Sequence, residues 1–152
     1  MTQDQTGRAR SFLVKNTIGV LATATQGGGV RARTVHYAAN DAFELYFLTL
    51  AGTRKVEDIA ANPQAAFVVS DPEAPWTLQI EGTLSEQPDT TIIDPMVQKL
   101  MDTLMEKGDA FAPLTHLDPN KILFYKLTPT WIRLGEFARG EGTKEVFSMI
   151  TP

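Results

Sequence analysis

Residues 18–49 read IGVLATATQGGGVRARTVHYAANDAFELYFLT, and the punctuation of this stretch decides the fold class. Apolar and β-branched residues fill Ile18–Thr25, a strand that ends at Gln26–Gly29 (QGGG), where glycine supplies the positive φ of a tight turn. Val30–Ala39 (VRARTVHYAA) reads as a second strand and Asn40-Asp41 as a hairpin turn. Phe43–Thr49 (FELYFLT) reads as a third strand with period-two alternation. Connections this short join antiparallel neighbours, because a parallel crossover needs a dozen residues or more. The expectation is an antiparallel meander, which leaves no room for a parallel nucleotide-binding sheet.

Working outward, Ser11 to Asn16 ends a short amino-terminal helix. Thr53–Ala61 (TRKVEDIAA) forms another, stopped by Asn62-Pro63. Strands follow at Ala65–Ser70 and Trp76–Ser85. Asp94-Pro95 opens a further helix, ending near Gly108, with Met96, Leu100, Met101, Leu104 and Met105 at helical spacing, read as core rather than as a ligand lining. Ile122–Leu127 and Trp131–Phe137 are the last clear strands, separated by Thr128-Pro129, and Glu145–Ile150 offers one more. Six or seven strands with two or three helices make residues 1–152 one mainly β domain, a closed or partly closed antiparallel barrel with peripheral helices.

Composition narrows the chemistry. The chain has 43% hydrophobic and 21% charged residues and a net charge of −4, which argues against nucleic acid as the main partner. It has no cysteine, so disulfides, thiolate metal sites and a cysteine nucleophile are excluded. Met1 to Arg10 lacks the apolar run of a signal peptide, and no stretch approaches the ~20 apolar residues of a membrane span, so a cytoplasmic location without membrane contact is expected. The two histidines, His36 and His116, are too far apart in sequence to suggest a metal site. The glycines of 27–29 fit neither GxGxxG nor a GK[ST] loop, no serine sits in GxSxG, and no residue stands out as catalytic.

The most informative chemistry lies in Leu48 to Asn62 (LTLAGTRKVEDIAAN). Thr53 is a good N-cap, yet Arg54 and Lys55 occupy the first turn, where the helix already carries about half a positive charge. A bound anion would resolve the conflict, with backbone N–H groups, the Thr53 hydroxyl and two cations converging on one phosphate. The alternative is a pair of solvated cations matched by Glu57 and Asp58 at i,i+3 or i,i+4. Arg31 and Arg33 alternate with Ala32 and Thr34 and share a face with Val35 and Tyr37, as at a sheet edge or against an anion. Gln79, on the polar face with Thr77, Glu81 and Thr83, carries the donors and acceptor a heterocycle edge requires, although a solvated face explains it equally.

In order, these pieces resemble the FMN-binding split-barrel family related to pyridoxamine 5′-phosphate oxidase, and most closely its small bacterial general stress protein branch. The likeness runs roughly from Ser11 to Gly135. It rests on Arg33-Thr34-Val35, Phe47-Leu48-Thr49, Thr53-Arg54-Lys55, Asn62-Pro63, Gln79-Ile80-Glu81-Gly82 and the segment Tyr125 to Pro129. The resemblance implies that Arg33, Thr53, Arg54 and Lys55 hold the FMN phosphate. It implies that Thr34, Val35, His36, Leu48 and Thr49 border the ring and ribityl chain, and that Gln79 approaches the flavin, with Thr77 the competing position. It further implies a homodimer with the flavin at its interface and a small-molecule or NAD(P)H reductant. The oxidase proper ends in a basic segment with arginine and histidine. Here Gly135 to Gly140 reads GEFARG and no histidine follows, so pyridoxamine phosphate oxidase activity is not expected. The implied function is an FMN-dependent oxidoreductase of unknown substrate, against a non-catalytic flavin-binding stress or sensor protein, or a barrel holding a deazaflavin or haem.

Overall fold

Helix α1 (Gln3–Lys15) leads into strand β1 (Ile18–Ala24), and the computed structural model describes residues 3–71, 73, 75–87, 95, 98–100, 102, 122–137 and 145–152. The other strands are β2 (Val30–His36), β3 (Ala38–Ala39), β4 (Leu45–Leu50), β5 (Gln64–Asp71), β6 (Trp76–Glu86), β7 (Ile122–Phe137) and β8 (Glu145–Ile150), with helix α2 (Arg54–Ala61) between β4 and β5. They form one antiparallel sheet in the order β2-β1-β5-β6-β7-β4-β3, with β8 added on β7. Of the helix expected after Asp94, Pro95, 98–100 and Asp102 are helical, and Met96, Met101, Leu104 and Met105 lie outside the described residues.

The expected meander resolves differently. Val30–Ala39 is not one strand: β2 pairs with β1 from Val30 to His36, whereas Ala38 and Ala39 pair with Tyr46 and Leu45 of β4. The break is Tyr37. Its N–H donates to the Thr17 carbonyl at 2.9 Å, its hydroxyl donates to the Leu13 carbonyl at 2.7 Å, and its ring meets Phe67 edge-on at 5.0 Å. These contacts pin the chain where it leaves one ladder for the next. Because β2 and β3 stand at opposite ends of the strand order yet are one residue apart in the chain, the sheet must curl until its ends meet at Tyr37. The result is a split barrel: among the described residues no ladder joins β2 to β4 beyond that point.

Two boundaries differ from the expected ones for local reasons. Asn40 closes its turn by accepting the Ala42 and Glu44 N–H groups on Oδ1, both at 3.0 Å, and Phe43 is held at φ 60, so β4 begins at Leu45 and not at Phe43. Thr128-Pro129 does not interrupt β7, which is 16 residues long and pairs with β6 from Tyr125 to Glu136. Proline cannot donate to a ladder, and the sheet absorbs it in a bulge between Glu81 and Gly82, where the Thr130 hydroxyl donates to the Glu81 carbonyl at 3.2 Å. Gly82 is required there, since any Cβ would run into the Thr128 carbonyl oxygen.

Alternation sorts the side chains. Leu21, Val35, Phe67, Val69, Leu78, Ile80, Leu84, Leu127, Ile132 and Leu134 fill the interior, closed at one end by Ala9, Phe12 and Leu13 of α1. The opposite faces of β1, β5, β6, β7 and β8 look outward. Among the described residues no helix is long and apolar enough to cross a membrane.

Candidate functional site

Helix α2 occupies the split. Its amphipathic pattern buries Asp58 and Ile59, and Thr53 precedes it in extended geometry. The expected cap is not made: the Thr53 hydroxyl forms no capping bond, and its buried Oγ1 has no hydrogen-bond partner. The first N–H to bond back along the helix is that of Glu57, to the Thr53 carbonyl at 3.3 Å, so the amides before it lack intrahelical partners. An unmatched hydroxyl, open amides and a helix's positive end face the same turn.

Cations from two elements gather around it. Lys55 is partly buried with Nζ 5.7 Å from the centre of the Phe47 ring on β4, and burial together with nearby Arg33 lowers its pKa. Arg33, on β2, donates from Nη1 to the buried Thr23 hydroxyl at 2.7 Å. Burial lowers the Arg33 pKa, Asp58 opposes the shift, and Arg31 and Arg54 add to it. Arg31 donates from Nη1 to Asp58 Oδ2 at 3.0 Å. Four cations thus share one region with a single buried carboxylate. Sequence pairing had matched Asp58 with the cations of its own helix. The structure turns it inward to Arg31 of β2, because Asp58 lies beside Ile59 on the face that α2 buries. A charged residue within the apolar stripe of a short helix was the signal for this partner, since a buried carboxylate needs an opposite charge from elsewhere. A polar cavity of about 340 Å³ opens beside the pair, lined by Thr25, Gln26, Gly27, Arg31, Arg54, Glu57 and Asp58.

The remaining candidates lie elsewhere. Val35 is in the core, and Thr49 is buried on the same face of β4 as Phe47. Leu48 packs in a small cluster with Ala38, Leu100 and Phe124. Thr34, Val20, Val68, Gln79, Arg133 and Met149 form a single cross-strand row on the outer face, with His36 opposite Ile18 one step along. Gln79 Oε1 accepts from Arg133 Nη2 at 2.7 Å, and the Arg133 guanidinium lies 5.6 Å from the Trp131 ring and 4.6 Å from the Phe147 ring. Beside this row runs a groove of about 280 Å³ along Val20, Ala22, Val68, Gln79 and Trp131. Thr77 Oγ1 is 3.2 Å from the Ser70 hydroxyl. In one chain, therefore, Arg33, Thr53, Arg54 and Lys55 come together, whereas Gln79 faces away with Thr34. Arg133, Trp131 and Phe147 were not singled out from sequence, although W-x-R in a strand puts an aromatic and a cation on one face.

Comparison with known proteins agrees with this architecture. A family profile described as pyridoxamine 5′-phosphate oxidase matches residues 6–134. A pyridoxine/pyridoxamine 5′-phosphate oxidase of Anaeromyxobacter dehalogenans is 36% identical over 73 residues, covering 48% of this chain and 37% of the relative. The chain thus matches little more than a third of that relative's length. Among solved structures, an F420 reductase is 26% identical with a TM-score of 0.64 over 81% of this chain and 94% of its own. A haem-binding protein from Mycobacterium smegmatis reaches a TM-score of 0.72 at 16% identity, over 98% of this chain and 59% of its own. A pyridoxamine 5′-phosphate oxidase-related, FMN-binding protein from Nostoc punctiforme gives 0.58 at 16% identity, over 99% and 96%. The last two likenesses show a shared fold.

Proposed function

The chain belongs to the pyridoxamine 5′-phosphate oxidase family, and from that premise we propose that it binds FMN and acts as a flavin-dependent oxidoreductase on a small molecule or NAD(P)H. The observation that carries the reading is the convergence of Arg33, Arg54 and Lys55 on a helix start whose Thr53 hydroxyl has no partner. These groups fit a phosphate ester: charge, open amides and an orphaned hydroxyl are what a phosphate dianion satisfies. Bound flavin supplies hydride and electron transfer, and the protein's part is to hold and tune it. Val35, Leu48 and Thr49 border the ring and ribityl chain through their backbone, whereas Thr34 and His36 share the outer face with Gln79 and meet the flavin of a second copy. Gln79, or its neighbour Thr77, reaches the ring from a second copy, since its own strand faces away from the phosphate turn. Apolar exposure on the outer face supports such a copy: Ile18, Val20, Phe147 and Met149 are 41%, 37%, 48% and 49% exposed there. A homodimer follows.

Riboflavin has the same ring and chain without the phosphate, so it tests the reading directly. Arg54→Ala and Lys55→Ala should each weaken FMN roughly 10- to 150-fold, at ~1.5–3 kcal/mol per charged hydrogen bond, and leave riboflavin nearly unchanged. Equal losses for both ligands would make the turn a support for the fold and not a phosphate site. Turnover of pyridoxamine 5′-phosphate should stay far below ~1 s⁻¹, because Gly135-Glu136-Phe137 stands where the oxidase has basic residues. A rate at or above that value would show the departure to be irrelevant. The likeness to an F420 reductase favours a deazaflavin as the second reading, and the absorption spectrum of the purified protein separates the two.

A further inference from the structure

One acid in the cation cluster, Asp58, is buried, and that placement needs an explanation. Asp58 is 5% exposed, it bonds Arg31 at 3.0 Å, and its field reaches Arg33, whose proton affinity it supports. Carboxylates are costly to bury, and a solvated acid such as Glu57 on the same helix would avoid that cost. A negative charge inside an anion site also opposes the anion. Both penalties make sense if Asp58 does something for the ligand-free protein.

We propose that Asp58 is an internal counter-ion, an affinity-setting residue that stands in electrostatically for the ligand's phosphate when no ligand is bound. It offsets the mutual repulsion of Arg31, Arg33, Arg54 and Lys55, which would otherwise push β2 and α2 apart across the split. It also holds Arg31 away from the turn at Thr53. When a phosphate ester arrives, the cations acquire a second and stronger anionic partner, and the repulsion between Asp58 and the phosphate is subtracted from the affinity. Asp58 thereby exchanges tight binding for a folded, ligand-free state that can take up and release its ligand. The cavity beside the Arg31–Asp58 pair gives Arg31 room to move. This inference rests on the phosphate reading above and adds a residue that the reading does not use.

The test measures FMN and riboflavin affinities, and the melting temperature without ligand, for wild type, Asp58→Asn, Arg31→Met and Asp58→Ala/Arg31→Met. A carboxylate repels a phosphate held by the same cations, so Asp58→Asn should tighten FMN about tenfold or more. Riboflavin should be unaffected, and the ligand-free melting temperature should fall. Should Asp58→Asn fail to fold, the double variant replaces both charges of the pair and avoids a lone buried ion. It should then bind FMN about tenfold more tightly than Arg31→Met alone. Unchanged or weaker FMN binding on removal of Asp58, in a wild-type background that prefers FMN to riboflavin, overturns this inference and leaves the phosphate reading standing. A wild type that binds FMN and riboflavin equally overturns the phosphate reading, and the counter-ion with it.

Discussion

Arg133 on the outer face and Arg33 in the split are both half-buried strand arginines, and their surroundings treat the charge in opposite ways. Arg133 is provided for: Gln79 Oε1 accepts from it at 2.7 Å, and the rings of Trp131 and Phe147 lie against its planar group. Arg33 donates to one neutral hydroxyl and has the field of Asp58 in its favour, while burial, Arg31 and Arg54 press against its charge and it presses in turn on Lys55. The first cation is matched within its own face. The second belongs to a group whose charge remains unbalanced and which gains from an incoming anion. Chemistry, then, is to be sought where the cations are poorly matched, and association where the cation is well matched.

The comparison breaks most visibly through the outer face. If that face joins two copies, Val20→Glu places a charge at equivalent points on both sides of the interface. At several kcal/mol per buried ion it should shift the dimer to monomer by more than ~100-fold in dissociation constant. Light scattering at micromolar concentration would then fall from about twice 16.7 kDa to 16.7 kDa. A wild-type monomer that still binds flavin stoichiometrically would remove the face from the argument. A smaller effect sharpens the contrast: Arg133→Ala should weaken FMN and riboflavin by the same factor, roughly tenfold, whereas Lys55→Ala acts on FMN alone. If Arg133→Ala altered the ratio of the two affinities, the two regions would not differ as described.

The smallest effect is a pH dependence. Lys55 titrates below its ordinary 10.5 in the folded protein, because burial and Arg33 disfavour its charge. The unfolded chain therefore holds more protons than the folded one just below that value. Unfolding free energy should rise with pH through this window, and its contribution should be lost as pH falls through the folded pKa. Tyr37 and Tyr125, both shifted upward by burial, work against stability above pH 10, so the wild type is compared with Lys55→Met, which shares them. Denaturant midpoints between about pH 8 and 10.5 should show the extra rise in wild type only, and FMN should abolish it. Parallel curves for the two proteins would mean that Lys55 is solvated.

The order and type of elements were legible because turns, prolines and two-residue alternation are local signals. Gln26–Gly29, Asn62-Pro63 and the stripe Leu78, Ile80 needed no knowledge of the rest of the chain. What failed was non-local. Whether residues 30–39 form one strand or two depends on Tyr37 finding Leu13 and Phe67 in space. Whether Thr128-Pro129 ends a strand depends on Gly82 opposite it, which lets the ladder bulge. At the candidate site, the misplaced cations Arg54 and Lys55 could be read from helix electrostatics alone. That Asp58 needs a charge from outside its helix could be read from its place in the buried stripe, but that this charge is Arg31 could not, since the strand's approach to that face is not local. The separation of Gln79 from the turn at Thr53 was equally invisible, because a strand pattern says which residues share a face and not which side of a barrel that face is on.

The parting of β2 from β4 beyond Tyr37 has a mechanical meaning. Elsewhere neighbouring strands are laced by main-chain hydrogen bonds, which no dissolved solute tightens. Across this seam the lacing is an ion pair between Arg31 and Asp58 and a lysine laid over Phe47, both of which feel the ions around them. The barrel is thus a stave vessel with one hoop made of charge. Added salt should slacken that hoop, and a phosphate ester held there as proposed would draw it tight, so the firmness of this one seam would become a property of the solution as well as of the chain.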